Sequence, residues 1–187
     1  MSEQFPETGS RTVTPECGLA ERIAKDTGVN AMDCYQCGKC SAGCPLVEAT
    51  DLLPHDFWRM VQLGLEEPIL RSRHLWLCMA CETCGARCPN KLPLSKVIDW
   101  FRQKAVREGR EVAEPDVVAF HEAFLASVRS GGRLSEVKMI GRFKRLTGDY
   151  FKDMKLGMML FRKGKIKLFG GQSGAKRKVR ELFEGIE

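Results

Sequence analysis

Eight of the nine cysteines in this chain fall into two runs of one pattern. They are Cys34-x2-Cys37-x2-Cys40-x3-Cys44-Pro45 and Cys78-x2-Cys81-x2-Cys84-x3-Cys88-Pro89, each cysteine of the second lying 44 residues after its counterpart in the first. Closely spaced thiolates are metal ligands, and three of them at two-residue intervals can wrap one iron–sulfur cubane. Zinc is the competing chemistry, but structural zinc sites draw on separated Cys-x2-Cys pairs rather than unbroken triplets followed by proline. A three-iron cluster goes with a missing second cysteine, and both Cys37 and Cys81 are present. A disulfide framework belongs to short exported chains.

The same run binds the clusters of bacterial two-cluster ferredoxins, where the fourth cysteine ligates the other cluster. On that correspondence one [4Fe-4S] cluster takes Cys34, Cys37, Cys40 and Cys88, and the second takes Cys78, Cys81, Cys84 and Cys44. Each cluster then staples the two halves of the motif together, and the short gap between clusters suits electron transfer. Gly38, Gly43 and Gly85 are expected to let backbone amides approach the sulfurs, which tunes the potential. Tyr35, Leu46, Leu77, Met79, Leu92 and Leu94 are expected to shield the clusters from water. Lys39, Arg87 and Lys91 stand close in sequence to ligands, where they raise a potential, guide docking, or simply solubilise the surface. Cys17 lies outside both runs and reads as a buried small side chain, with a redox or interface role as the alternative. His55, His74 and His121 have no ligand-like arrangement.

The elements that must position these thiols read as helices. A helix over 15–25 carries Leu19 and Ile23 on one side and ends at Gly28. Pro54 opens another, with Phe57, Met60, Val61 and Leu63 on its apolar side and Gly64 at its end. Residues 68–76 read as a short helix leading into the second run. Residues 93–107 form an amphipathic helix through Leu94, Val97, Ile98, Phe101 and Ala105, and 114–129 forms the next. Residues 134–146, 150–161 and 176–183 are shorter candidates, and no run alternates as a strand would. The expected organisation is a lead-in over 1–14, a mostly α, α-helical ferredoxin-like domain with two clusters over 15–130, and a basic helical extension over 131–187.

Composition bounds the rest. The chain has 187 residues, 43% hydrophobic and 29% charged, which is ordinary for a folded soluble protein. No apolar run approaches the roughly eighteen residues of a membrane span, and the N-terminus lacks the basic and apolar regions of a secretory signal. A cytoplasmic location is therefore expected. The formal charge of +6 is unevenly spread, with 14 basic and 18 acidic residues over 1–128 against 16 basic and 6 acidic over 129–187. That basic tail is either solvated or meets an acidic protein, a nucleic acid or a membrane surface. Its apolar residues, among them Phe143, Tyr150, Phe151, Leu156, Met158, Met159, Leu160, Phe161 and Phe169, pack on the body or under a partner. No dinucleotide or P-loop signature accompanies the cysteines. Gly170-Gly171-Gln172-Ser173-Gly174-Ala175-Lys176 fails the phosphate-loop pattern because Arg177 follows the lysine.

With its two Cys-Pro-terminated runs, its length, its inter-run spacing, and the stretch Asp33-Cys34-Tyr35-Gln36-Cys37-Gly38-Lys39-Cys40-Ser41-Ala42-Gly43-Cys44-Pro45, the chain resembles the small iron–sulfur (C-type) subunit of heterodisulfide reductase. The resemblance covers about 15–130 well and the tail loosely. It implies a non-catalytic iron–sulfur protein that passes electrons from the A-type flavoprotein of such a complex to its disulfide-reducing B-type partner. That B-type partner carries the CCG signature, which this chain lacks. A hydrogenase or formate dehydrogenase supplies electrons to complexes of that kind by flavin-based bifurcation, and their best-known setting is methanogenesis. The Gly85-Ala86 pair is smaller than expected of methanogen versions, which leaves the terminal acceptor open. The alternative is the iron–sulfur subunit of another flavin-linked dehydrogenase, of 2-hydroxyacid or succinate/fumarate type. Against the succinate type, only 33 residues precede Cys34, too few for a plant-type [2Fe-2S] domain. A free ferredoxin is expected to be shorter and more acidic. A nucleic-acid-binding protein would carry a recognisable binding module, so no nucleic-acid partner is expected.

Overall fold

The computed structural model describes residues 14–150, 154–164 and 174–185, and every regular element among them is helical. The chain divides into two compact units at the Glu114–Pro115 bond. The helix expected over 114–129 therefore belongs with the C-terminal unit, before the Gly131-Gly132 step in composition.

In the first unit α1 (Leu19–Thr27) buries Leu19, Ala20 and Ile23 and ends at Gly28, whose N–H bonds the Ala24 carbonyl. It starts later than its sequence pattern suggested. Cys17 thus precedes the helix rather than sitting on its apolar side, and it is exposed, not buried as expected. α2 (Pro54–Gln62) begins on a proline and buries Phe57, Trp58 and Val61, while Leu63, expected on the same face, falls just past its end and is exposed. The helix expected over 68–76 is two short ones, α3 (Glu66–Leu70) and α4 (Arg73–Leu77). The break has a local cause. Ser72 adopts extended backbone and caps α4, its hydroxyl accepting the His74 N–H at 3.0 Å. α5 (Thr83–Arg87) lies inside the second cysteine run, and α6 (Leu94–Arg107) follows it.

α6 organises the core. Its Leu94, Val97, Ile98, Phe101 and Ala105 are buried as their spacing predicts, and α1, α3 and α4 pack against it. Phe101 meets Phe57 edge to face at 5.5 Å and 85°. Burying each of these rings stabilises the unit by roughly 2–3 kcal/mol. A charged knot joins the same helices: Glu66, 2% exposed, accepts from Arg22 Nη2 at 2.8 Å and pairs with Lys104. Burial, working against the Lys104 ammonium, pushes the Glu66 carboxyl up.

Asp51 ties the loop after the first run to α4. Its carboxylate accepts from Ser72 Oγ at 2.8 Å, Arg73 N at 2.9 Å and His74 N at 3.0 Å. Partial burial disfavours the charge, but these donors outweigh it and hold the carboxyl below the usual range. Asp51→Ala should cost about 1–2 kcal/mol, as loss of a good N-cap does. A depressed folded pKa gives stability that is present above the ordinary carboxylate value and lost as pH falls through the folded one. The difference in melting temperature between wild type and Asp51→Ala should therefore be flat from pH 8 to about 5 and shrink below about pH 4.

In the second unit α7 (Pro115–Gly131) packs against α8 (Glu136–Thr147) and α10 (Lys176–Glu184), and α9 (Met154–Arg162) lies between the last two in sequence. Ser127 closes the α7–α8 turn by accepting the Ser135 N–H at 2.9 Å. Phe120 meets Phe143 edge to face at 6.0 Å, and Arg142 pairs with Glu122 at 2.9 Å. Leu125, Met158 and Leu182 are exposed. Phe151, Phe169 and residues 170–173 of the glycine-rich stretch lie outside the described residues, as does most of the lead-in over 1–14.

Candidate metal centre

The two cysteine runs share two left-handed backbone steps, although the first continues into a short 3-10 turn (Ser41–Gly43) and the second into α5. In each, the second residue after the first cysteine is left-handed (Gln36, φ 62°; Ala80, φ 50°), and so is the residue after the second cysteine (Gly38, φ 74°; Glu82, φ 60°). With Lys91 (φ 52°), which follows the second run, these are all the left-handed non-glycine residues among those described. Each costs on the order of 1 kcal/mol, strain that persists where the surroundings enforce it. The left-handed steps curl each run into a loop.

The loops surround two cavities. The first is lined by Cys34, Cys37 and Cys40 from the first run and by Cys84 and Cys88 from the second. The second is lined by Cys78, Cys81 and Cys84 together with Cys44 from the first run. The fourth cysteine of each run thus lines the other run's cavity, and Cys84 lines both. Among the described residues no three His, Cys, Asp or Glu side chains converge on a single-ion site; the thiols are spread around the cavity walls. Three thiols of one run and the fourth of the other are the donor set a cubane takes, and each cavity has such a set, with Cys84 as a fifth thiol at the first.

Burial pushes the thiols of Cys34, Cys40 and Cys78 up and that of Cys84 to about 11. Cys88 adds to the effect at Cys34, and Cys44 at Cys78. Cys81 is the exception: the Thr83 hydroxyl, 3.4 Å away, brings it down. Metals ligate thiolates, so loading these cavities releases protons.

The loops are held by side chains that no local motif announces. Gln62, at the end of α2, donates to the Cys34 carbonyl at 2.7 Å and the Ala31 carbonyl at 3.0 Å. Arg102 of α6 donates to the carbonyls of Leu75 at 2.7 Å, Trp76 at 3.2 Å and Cys78 at 2.5 Å. Ser41, beside Cys40, meets His55 Nδ1 at 2.7 Å, which brings His55 to the wall of the first cavity. Gln36 donates to Cys34 Sγ at 3.4 Å. Of these supports only Gln36 and Ser41, which lie between cysteines of the first run, carry a signal in the sequence.

The other expected residues divide. Leu92 and Leu94 are buried, and Leu46 and Leu77 half-buried. Tyr35 and Met79 line the cavities yet are each 61% exposed, so they sit at the rims instead of sealing them. Their side chains occupy equivalent places on the outer turn of the two loops. Lys39, Arg87 and Lys91 are exposed. Gly43 has a reason unrelated to amide approach: a Cβ there would stand 2.3 Å from Arg87 Nη1, so the glycine makes room for Arg87 between the two runs. His74 is buried on the wall of the second cavity, and burial pulls its pKa down, keeping the ring neutral. His121 is exposed on α7.

Comparison with known proteins places this geometry. Residues 33–93 match the family described as 4Fe-4S dicluster domain. The chain is 36% identical over 92 residues to the iron–sulfur C subunit of the CoB–CoM heterodisulfide reductase of Methanopyrus kandleri, covering 49% of this chain and 48% of that protein. It is 31% identical over 91 residues to the C subunit of the H2:CoB-CoM heterodisulfide,ferredoxin reductase of Methanothermobacter thermautotrophicus, covering 49% of each. It is 33% identical over 104 residues to the C subunit of the ferredoxin:CoB-CoM heterodisulfide reductase of Methanosarcina acetivorans, covering 53% of this chain and 42% of that protein. The chain spans about half the length of the curated relatives it matches.

Proposed function

We propose that this chain, a homologue of the heterodisulfide reductase C subunit over its cysteine-bearing half, is the electron-relay component of a heterodisulfide reductase-type complex. The observation that carries the reading is the pair of thiol-lined cavities, each taking three cysteines from one run and the fourth from the other, with Cys84 on the wall of both. Cys34, Cys37, Cys40 and Cys88 would hold one [4Fe-4S] cluster, and Cys78, Cys81, Cys84 and Cys44 the other. Bound there, such clusters supply one-electron chemistry without proton or group transfer. The chain's own residues hold the ligand loops, line the inner faces with the buried Trp58 at the first cavity and Leu94 at the second, and leave Tyr35 and Met79 at two separate rims. Each rim is an edge at which a partner's redox group can approach.

The partners this reading names are an A-type flavoprotein as donor and a B-type CCG protein as acceptor, in a cytoplasmic complex fed by a hydrogenase or formate dehydrogenase. Among the described residues no helix is long and apolar enough to cross a membrane. Anaerobic purification of the chain from its own cells tests the proposal. The isolated chain should hold about eight iron and eight acid-labile sulfide, and the complex should contain a flavoprotein and a CCG-bearing protein. Stoichiometric zinc would overturn the cluster reading, and a dehydrogenase partner in place of those two proteins would overturn the complex.

A further inference from the structure

The two cysteine loops share their left-handed steps, and at one of these positions a difference in sequence costs energy. The residue after the second cysteine is left-handed in both copies. In the first copy it is Gly38, the residue that adopts this conformation without strain. The second copy places Glu82 there, at an expense of about 1 kcal/mol that glycine would avoid. Room is not the reason for glycine in the first copy, since a Cβ on Gly38 would meet nothing within 4 Å.

Glu82 is also held in place. Ser95, 6% exposed at the start of α6, donates its hydroxyl to Glu82 Oε1, and Glu82 Oε2 lies against Gly85. Glu82 and Ser95 both line the second cavity with Cys44, Cys78, Cys81 and Cys84. A strained backbone and a buried hydroxyl thus fix a negative charge on the wall of one cavity, at a position where the other has only hydrogen. The first cavity has a carboxylate of its own in Asp33, whose Oδ1 accepts from the Asn30 amide at 2.9 Å, and two cations stand by the runs, Arg102 on the backbone side of Cys78 and Arg87 beside Gly43.

We propose that Glu82 is a tuning residue that holds down the reduction potential of the second four-cysteine site. The inference rests on the cluster reading above. Its physics is charge against charge: one electron entering the second site adds one negative charge close to a fixed carboxylate, and net charge is a principal determinant of such potentials. No bond forms or breaks and no proton is needed. The effect of Glu82 on the thiols has the same sign. Thr83 dominates at Cys81 and burial at Cys84, and at both Glu82 opposes negative charge on sulfur.

The test is a potentiometric titration of the anaerobically reconstituted full chain with dithionite as reductant, followed by electron paramagnetic resonance. The couple altered by Cys81→Ser is assigned to the second site. Glu82→Gln keeps the length of the side chain and its link to Ser95 but removes the charge, and should move that couple upward while the first stays in place. Glu82→Gly, which reproduces the first copy's backbone, should do the same, and Glu82→Asp should stay near wild type. An unshifted second couple in both neutral variants, each with wild-type iron content, would overturn the proposal, as would equal movement of both couples. Wild-type chain that binds no iron would instead remove the cluster reading itself, and the tuning role with it.

Discussion

Cys88→Ala, purified anaerobically, should carry about four iron per chain in place of about eight, and the signal it loses should be the one lost in Cys34→Ala. The expectation follows from where the fourth cysteines lie. Cys88 lines the first cavity with Cys34, Cys37 and Cys40, and Cys44 lines the second with Cys78, Cys81 and Cys84. Cys44→Ala should therefore pair with Cys78→Ala. If each run instead enclosed its own cluster, the pairings would reverse, with Cys88→Ala behaving like Cys78→Ala. Spectra of the four single variants distinguish the two arrangements, since each pair must share its surviving signal. The mechanical consequence is as large as the chemical one. A cluster ligated across the runs joins residues between 34 (Cys44 to Cys78) and 54 (Cys34 to Cys88) positions apart in sequence, and loss of its fourth ligand removes that cross-link. Metal binding in small domains contributes directly to folding free energy, so the surviving cluster of Cys88→Ala should also be lost to a chelator several-fold faster than in wild type. Wild-type loss rates would show that the two halves stand without the staple.

What made the cysteines of the two cavities legible as sets was spacing alone. Thiols at fixed intervals with a following proline marked two equivalent segments 44 residues apart, and each segment lines one cavity and lends its fourth cysteine to the other. The helices were legible for a different reason, because Leu94, Val97, Ile98, Phe101 and Ala105 recur with the period of the helix and are buried. Where pattern misled, a specific local interaction competed with it. Ser72 and Asp51 cap α4 and split one expected helix into two. Cys17 misses the apolar face by two residues because α1 starts at Leu19. Tyr35 and Met79 are apolar and next to ligands, but proximity in sequence does not fix direction, and the left-handed steps that follow them leave both side chains exposed. The supports of the loops were invisible, since Gln62 and Arg102 act on carbonyls 28 and 24 residues away. No periodicity encodes a side chain that reaches a backbone across the fold.

Arg102 is the support whose loss should cost most. α4 ends at Leu77, and its last carbonyls have no partner within the helix. Arg102 reaches them from α6, its Nε donating to Leu75 and its Nη2 to Trp76 and Cys78. The side chain is 16% exposed, so water offers little replacement, and its one ion pair, to the exposed Asp99 at 3.4 Å, adds little. A hydrogen bond from a charged donor is worth about 1.5–3 kcal/mol, and a buried carbonyl left unpaired costs a further 1–3 kcal/mol. Arg102→Met keeps the apolar stem and removes the fork, and should destabilise the chain by about 3 kcal/mol, lowering its melting temperature by roughly 10 °C. The damage should be local as well as global. The carbonyl of Cys78 opens the second run, so the second cluster should be lost first on exposure to a chelator while the signal of the first persists. Arg102→Lys separates the two contributions of this side chain. An ammonium keeps the positive charge at the C-terminal end of α4, which the helix dipole favours by some tenths of a kcal/mol, but it lacks the planar fork that serves three carbonyls from one position. If the fork is what matters, Arg102→Lys should lie closer to Arg102→Met than to wild type in both melting temperature and order of cluster loss. A lysine variant that melts with wild type would mean that charge alone holds the second loop.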